Sequence, residues 1–321
     1  MPDTDWAIPP AFRPAQSDFR FDLDRAQRAV LSLKATVPAD AFTAQTLGTE
    51  REGSAIVLEG GKLLATIGYL VTEAEEIWLT GTDGTVVQAH VAGIDGRTGI
   101  AVLQPLGRLR SEGVAIAAPP EAGAACVLAA GGGADRAVAT KLVARQEFAG
   151  YWEYVLDEAL FTAPAHPFWG GAALFGPDGS LVGIGSLVLQ EGGGPAARDM
   201  NMAVPAALLP PALDTILTTG RGPGAPRPWL GVFAAEQDGA IVVAGLAEDG
   251  PADRAGVRSG EAIRAVDGTE VTELAELWRA VWARGDAGVE VTLTLVRGER
   301  ERRVRVATAD RASFLKRPRL H

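Results

Sequence analysis

Turn-forming residue pairs interrupt the chain at short intervals, and this spacing limits the possible folds more than any other feature of the sequence. Runs of β-forming residues end at Gly60-Gly61, at Asp83-Gly84 and at Asp178-Gly179. Such pairs supply the positive φ that tight hairpins need, so short strands joined by hairpins are predicted. Between residues 30 and 205 the strand-like runs dominate and helical periods are few, which favours β-barrels or a β-sandwich.

Composition and charge exclude several classes of protein. Of the 321 residues, 47% are apolar, which is too many for a disordered chain. The formal net charge of −10 would repel nucleic acid and anionic membranes, so neither is expected as a partner. Prolines and glycines interrupt the longest apolar stretches, so no membrane span is predicted.

Reactive and metal-binding residue types are scarce. Cys126 is the single cysteine and lies in an apolar run, which indicates a buried thiol rather than a reactive one. The three histidines are too scattered to form a metal site, and no cofactor is predicted. Asp3 and Asp5 stand where an export signal would carry positive charge. The sequence therefore predicts a cytoplasmic protein.

Residues 220–228 contain three glycines and three prolines, a composition typical of a linker between domains. A second unit of strands and one amphipathic helix follows this linker. The predicted organisation is an extended arm (1–21), a first domain (22–219), the linker (220–228), a second domain (229–309) and a basic tail (310–321).

Five runs in the first domain resemble, in order and spacing, the motifs of the HtrA/Deg family of trypsin-like serine proteases. They are Gly53–Leu58, Leu64–Val71, Asp95–Leu103, Pro167–Leu174 and Asn201–Pro205. The resemblance covers residues 28 to 307. It implies a mainly β protein with a trypsin-like double β-barrel, followed by a PDZ domain, which is a small α+β sandwich.

The catalytic positions of the family are occupied by unsuitable residues. The histidine of the family falls on Tyr69, its aspartate on Gly99 and its nucleophilic serine on Trp169. None of these side chains can perform the role it replaces. One oxyanion-hole N–H of the family falls on Pro167, which has no N–H to donate. The resemblance therefore implies a pseudoprotease with no catalytic residues, and no other serine elbow is present to support a rearranged active protease.

Two interpretations of the altered cleft remain open. In the first, Tyr69 and Trp169 pack over Gly99 and the site has become part of the core. In the second, Trp169, Tyr69, Phe168 and His166 form an aromatic pocket that holds a small ligand or a peptide side chain.

The second domain retains the features that PDZ domains use to bind extended peptides by strand addition. Gly231 permits close backbone approach in a loop that resembles the carboxylate-binding loop of the family. The predicted peptide-binding residues are Trp229, Leu230, Gly231, Val232, Leu274, Trp278 and Val281. The alternative is that Trp229 and the helix of residues 273–284 only pack against each other.

The sequence thus predicts an inactive HtrA-like scaffold or regulatory subunit that binds protein C-termini or extended peptides. An endopeptidase with unorthodox or partner-supplied catalytic residues is the alternative from another class, and a subunit that caps or inhibits an active homologue in a mixed oligomer is a third possibility. The resemblance also makes a homotrimer plausible, through the aromatic residues of the arm, which could instead pack on their own barrel. These are Trp6, Phe12, Phe19 and Phe21.

Overall fold

The chain folds into two compact units. The computed structural model describes residues 7–192 and 197–316. Unit 1 comprises residues up to Gln146, Glu158–Pro223 and the segment from Lys316, whereas unit 2 comprises Glu147–Asp157 and Gly224–Leu315. Residues 147–157, which sequence analysis assigned to the first domain, are therefore part of unit 2.

Unit 1 contains two closed six-stranded antiparallel barrels. In the first barrel the strands follow the order β1-β2-β3-β6-β5-β4, and in the second the order β10-β11-β12-β9-β8-β7. The strands are β1 (Val30–Thr36), β2 (Glu50–Val57), β3 (Leu64–Ile67), β4 (Glu76–Thr80), β5 (Val86–Ile94), β6 (Ile100–Pro105), β7 (Ala125–Ala129), β8 (Ala137–Gly150), β9 (Tyr154–Ala163), β10 (Ala173–Phe175), β11 (Leu181–Glu191) and β12 (Arg198–Pro205).

The helices of unit 1 are short. They are α1 (Leu23–Arg28), α2 (Ala44–Leu47), α3 (Gly68–Val71) and α4 (Pro210–Thr219), with 3-10 turns at Pro10–Phe12, Gln16–Asp18, Ala134–Arg136 and Ala206–Leu208. Helix α1 begins after Asp22, whose carboxylate accepts the N–H of Arg25 as an N-cap. Helix α4 ends at Gly220, which adopts a left-handed conformation with φ 75°.

Alternation of apolar and polar residues gives each barrel its interior. In β1, Leu33 and Ala35 are buried whereas Lys34 and Thr36 are exposed, as expected for a strand with one face in a core. The second barrel is filled by a cluster that includes Cys126, Leu128 and Leu160, all fully buried. Burial raises the pKa of the Cys126 thiol to about 11, so it stays protonated in the folded state.

Unit 2 is built around a six-stranded antiparallel sheet with the order β13-β14-β15-β17-β18, in which β16 also pairs with β15. Its strands are β13 (Val232–Gln237), β14 (Ala240–Leu246), β15 (Ala262–Val266), β16 (Thr269–Glu270), β17 (Glu290–Arg297) and β18 (Arg300–Ala307), and its helices are α5 (Pro251–Arg254) and α6 (Leu274–Trp282), followed by a 3-10 turn at Arg311–Ser313. The apolar face of α6 packs into the core formed by the inner residues of this sheet.

The N-terminal arm contacts unit 1 of its own chain. Ile8 is buried and its N–H donates to the carbonyl of Asp135. Phe21 covers Gly179, at which a Cβ would lie only 2.5 Å from the ring. Phe12 is 51% exposed, and Trp6 lies outside the described residues. The homotrimer through these aromatic residues therefore stays a prediction.

The predicted fold class, a trypsin-like double β-barrel followed by a PDZ domain, is confirmed. Across residues 7–192 and 197–316, every helix is too short or too polar to cross a bilayer.

Candidate functional site

The positions that correspond to the catalytic triad meet at one place in unit 1. Tyr69 lies in α3, directly after β3, and Gly99 lies directly before β6. Because β3 and β6 are paired, with Ile67 opposite Ile100, the two positions are neighbours. The N–H of Gly68 donates to the carbonyl of Gly99 at 2.6 Å.

Two glycines allow the turn that carries Trp169 to lie against β2 of the first barrel. The N–H of Ser54 donates to the carbonyl of Gly170 at 2.8 Å. A Cβ at Gly53 would lie 2.6 Å from that carbonyl oxygen, and one at Gly171 would lie 2.0 Å from the carbonyl oxygen of Ser54. Only glycine fits at these two close approaches.

Tyr69 is fixed by two hydrogen bonds through its hydroxyl. The hydroxyl donates to the carbonyl oxygen of Ser186 at 2.9 Å and accepts a hydrogen bond from the Trp169 side chain. Burial raises the pKa of Tyr69 well above its usual range, although the bond from Trp169 acts in the opposite direction. A phenol held in this way cannot serve as a base near neutral pH.

The backbone of α3, which carries Tyr69, is held by a buried cation. Arg51 is 4% exposed, and its guanidinium donates to the carbonyls of Tyr69 at 2.7 Å and Thr72 at 2.9 Å. Burial lowers the pKa of Arg51, whereas the nearby Glu73 carboxylate raises it. These contacts fix the position of Tyr69 relative to the barrel.

At the position of the family's aspartate, Gly99 adopts φ 77°, a left-handed conformation that disfavours residues with a side chain. Its N–H donates to the backbone carbonyl of Asp95 at 2.7 Å. The carboxylate of Asp95 accepts bonds from the N–H of Arg97 and the hydroxyl of Thr98, so it stabilises its own loop.

His166 is a structural histidine. It is fully buried, its Nε2 lies 2.9 Å from the carbonyl oxygen of Arg136, and its Nδ1 accepts the N–H of Phe168 at 2.9 Å. A carbonyl only accepts, so the proton must reside on Nε2. Burial lowers the pKa of His166 to about 4, while the bond to Arg136 acts against this shift. The ring is therefore neutral, and both of its nitrogens are engaged.

Four residues of the turn that would form an oxyanion hole either lack an N–H or use it in another hydrogen bond. Pro167 has no N–H, and the N–H of Phe168 is bonded to His166. The N–H groups of Gly171 and Ala172 donate to the carbonyls of Gly185 and Trp169. These four residues therefore present no N–H to an oxyanion.

Beside this turn lies a cleft of about 590 Å³. It is lined by Ala163, Pro164, Ala165, His166, Pro167, Trp169, Val188, Arg198 and Asp199. The four aromatic residues proposed for a pocket do not converge on it. Trp169 and His166 line the cleft, but Tyr69 points its hydroxyl towards Ser186 and Phe168 is 41% exposed.

In unit 2, the predicted carboxylate-binding loop of residues 229–232 is already bonded to a carboxylate. Oε1 of Glu153 accepts the N–H groups of Leu230, Gly231 and Val232 at 3.1, 2.7 and 3.0 Å, and Oε2 accepts that of Leu230 at 3.0 Å. Gly231 has φ 76°, which turns the three amides towards one point. Trp229, which precedes them, is buried against Phe314, with ring centroids 4.9 Å apart.

Burial raises the pKa of Glu153 to about 7, and the three backbone N–H groups and the charge of Arg311 act in the opposite direction. Glu153 has φ 62°, which is uncommon for a residue with a side chain.

Helix α6 contributes its predicted stripe to the core of unit 2. Leu274, Leu277, Trp278 and Val281 are all buried there. Trp278 also bonds a segment outside the helix, because its indole N–H donates to the carbonyl of Gly150 at 2.9 Å.

Glu153 and Ser186 were not among the predicted site residues. The contacts of Glu153 join residues that are 77 to 79 positions apart in the chain, so no pattern of neighbouring residues predicts them. The sequence feature that could have drawn attention to Glu153 is the group of aromatic residues around it, which are Phe148, Tyr151, Trp152 and Tyr154. Ser186 acts through its backbone carbonyl, so its side-chain type carried no information. Among the described residues, no group of His, Cys, Asp and Glu side chains could hold a metal ion.

Comparison with known proteins gives two domain matches. Residues 53–184 match the trypsin-like peptidase domain, and residues 228–308 match the PDZ domain.

Among curated proteins, the chain is 26% identical over 285 residues to a probable periplasmic serine endoprotease, DegP-like, from Pseudomonas fulva, covering 81% of this chain and 57% of that protein. A DegP-like protein of the same description from Brucella suis is 27% identical over 277 residues, covering 80% and 52%. The chain thus spans about half the length of the curated relatives that it matches.

Among solved structures, an HtrA-type protease, AlgW, with a decapeptide has a TM-score of 0.54 and 21% identity, covering 92% of this chain and 98% of that one. A serine endoprotease from Yersinia pestis has a TM-score of 0.52 and 21% identity, covering 90% and 98%. At these identities the structural matches establish the fold.

The expectation of a cytoplasmic protein is contradicted, because the curated relatives are named periplasmic endoproteases. The expectation relied on the acidic residues Asp3 and Asp5 near the start of the sequence and on the interrupted apolar stretches, and neither feature determines the compartment. Together, the two domain matches and the relatives support one architecture for this chain, a trypsin-like peptidase domain followed by one PDZ domain, with similarity to DegP-like and HtrA-type proteases.

Proposed function

We propose that this chain is a proteolytically inactive HtrA-like protein that binds extended peptides through its PDZ domain and acts as a scaffold or regulatory subunit. The observation that carries the proposal is the state of the triad positions. Tyr69 is bonded to Ser186 and Trp169, and Gly99 has no side chain. A serine protease needs a nucleophilic hydroxyl that a neighbouring imidazole activates, and the residues at the triad positions form no such pair.

His166 does not compensate for the missing base. Both of its ring nitrogens are bonded, and its low pKa leaves it neutral and a poor proton acceptor at neutral pH. Because Pro167 has no N–H, a tetrahedral intermediate would also lack one oxyanion-hole hydrogen bond. In enzymes of this type, the loss of one such donor reduces transition-state stabilisation by about 3 to 4 kcal/mol.

The competing function is a serine-type endopeptidase, which the names of the relatives favour. The same names favour a periplasmic location for this chain. A subunit that caps an active homologue is a variant of the scaffold proposal and would be detected by co-purification.

Activity-based labelling separates the two functions. The purified chain is incubated with a fluorophosphonate probe and with unfolded casein, alongside Trp169→Ala and Tyr69→Phe. We expect no adduct and no casein turnover above a buffer blank in any of the three. A stoichiometric adduct that maps to one hydroxyl, with turnover that persists in both variants, would refute the assignment of the site.

A further inference from the structure

The strand-addition groove of unit 2 contains a segment of the chain itself. Residues 150–154, here called the tip segment, run between β13 and α6. The carbonyl of Tyr151 accepts the N–H of Ala234 in β13 at 2.9 Å. On the other side, the indole N–H of Trp278 in α6 donates to the carbonyl of Gly150. The tip segment is therefore bonded to both walls of the groove.

The backbone contact has the form of strand addition. Strand β13 is an edge strand of the sheet, so its outward amides are available to another chain segment. One of these amides, that of Ala234, is already used by Tyr151. The rings of Tyr151 and Phe233 also lie against each other, with centroids 6.0 Å apart.

The side chain of Glu153 makes a further contact with unit 2. Two residues after Tyr151, its carboxylate meets three backbone N–H groups of the loop of residues 229–232. This is the position at which the loop would bind the C-terminal carboxylate of a peptide. A side-chain carboxylate on an internal residue thus replaces a chain terminus.

Further contacts hold the tip segment at its flanks. Val155 is buried in the core cluster of unit 2. Arg279 in α6 forms ion pairs with Glu147 and Asp157, which lie on either side of the tip segment. The positive φ of Glu153 is also maintained, although a side chain disfavours it. These contacts favour a defined bound conformation over a loose loop.

We propose that the tip segment is a built-in ligand of the PDZ groove, and that an external peptide binds only after this segment leaves. The inference rests on the proposed peptide-binding function of unit 2 and names its regulation. An external competitor must bring its own carboxylate, from a C-terminus or an acidic side chain, because the three amides are oriented towards an anion.

The test measures groove occupancy and peptide binding separately in the full chain. Glu153→Gly removes the carboxylate but accepts the positive φ without strain, and Glu153→Gln keeps one acceptor oxygen without the charge. Glu299→Ala is the matched control, since this acid is exposed in the turn between β17 and β18. Hydrogen exchange is followed at the amides of residues 230–232. The probe is a labelled, C-terminally amidated peptide with the sequence of residues 147–157.

We expect exchange at these amides to be about tenfold faster or more in Glu153→Gly, intermediate in Glu153→Gln and unchanged in Glu299→Ala. The probe should bind Glu153→Gly at least about tenfold more tightly than the original chain. A probe that carries alanine in place of Glu153 should bind weakly to every chain.

The outcomes distinguish the inference from the function on which it rests. Faster exchange in Glu153→Gly together with probe binding supports both. Faster exchange without any peptide binding supports the occupied groove and contradicts peptide binding as the function. Equal exchange in the original chain and Glu153→Gly overturns the inference, as does equal probe affinity for the two chains.

Discussion

Acidification should destabilise unit 1 through His166. The folded-state pKa of this residue is about 4, below the ordinary value of 6.5. The unfolded chain therefore binds a proton more readily than the folded chain as the pH falls below 6.5. The contribution of the neutral ring to stability is complete above pH 6.5 and is lost progressively towards pH 4. At pH 4.5 the loss amounts to about 2.5 kcal/mol, and it approaches about 3.4 kcal/mol at lower pH.

His166→Asn is the variant that isolates this effect. An asparagine oxygen can accept the N–H of Phe168 in the same two-residue turn, and asparagine does not titrate. The variant loses the bond to Arg136 and should be about 1 kcal/mol less stable at pH 7.5. Because only the original chain pays for protonation of the ring, the difference should disappear on acidification and reverse by pH 4.5.

Cys126 provides a local reporter for this measurement. It is fully buried in β7 of the second barrel, whose β9 and β10 are joined by the segment that contains His166, and its thiol becomes accessible when that barrel opens. Labelling with 4,4′-dithiodipyridine, which reacts with thiols in mild acid, is followed across a urea series at pH 7.5, 6.5, 5.5 and 4.5. An identical pH dependence of the unfolding free energy in the two chains would refute the reasoning, as would an imidazole that titrates near 6.5 in the folded protein.

Two further substitutions test the two filled sites. Tyr69→Phe should destabilise unit 1 by about 1–2 kcal/mol, because it leaves the Ser186 carbonyl and the Trp169 N–H without their partner. The Cys126 labelling assay at pH 7.5 measures this change, and an unchanged urea midpoint would contradict the hydrogen bonds of the hydroxyl. Gly231→Ala should cost about 1–2 kcal/mol and increase exchange at Leu230, whereas Gly239→Ala, with the same φ of 76° but open space around it, should cost less and leave Leu230 unchanged; equal effects of the two would rule out the close packing at Gly231.

Much of the fold could be predicted because its signals are local. The Asp-Gly and Gly-Gly pairs mark hairpins through the positive φ of Gly60, Gly61, Gly84 and Gly179. The stripe of α6 reports a helix with one buried face through the spacing of its apolar residues. Each of these patterns depends on interactions between residues a few positions apart, so it can be recognised in the sequence alone.

Element boundaries were less accessible, since tertiary pairing decides them. Apolar residues recur at helical spacing from Val204 onwards in the sequence. In the structure, β12 continues to Pro205 because it pairs with β11, and α4 begins only at Pro210. A proline at the first helical position suits the start of a helix, since its missing N–H would have no partner there. Likewise, threonine is a residue type that commonly caps helices, yet Glu273 takes the N-cap position of α6 and the hydroxyl of Thr272 donates to Glu276.

The chemistry of the two sites separates in the same way. The prediction of a degenerate triad is a sequence-level prediction, because it depends only on residue identity at Tyr69, Gly99 and Trp169. The hydrogen bond of the Tyr69 hydroxyl could not be predicted, since its partner is a backbone carbonyl and every residue has one. The contact of Glu153 with residues 230–232 is hidden for a different reason, because it requires two distant segments to fold together.

Tyr69 occupies the site at the triad positions and Glu153 occupies the groove of unit 2, but the two side chains differ in how easily they could leave. Tyr69 is held by a short helix whose carbonyls are bonded to the buried Arg51, so its removal would require the first barrel to open. The tip segment is held by one carboxylate, two further hydrogen bonds and exposed ion pairs, which local opening can break. A ligand that binds the groove can offset that opening by its own binding free energy, whereas no ligand of the cleft changes the residue types at Tyr69, Gly99 and Trp169. Regulation of this protein is therefore expected at the groove of unit 2 rather than at the altered catalytic cleft.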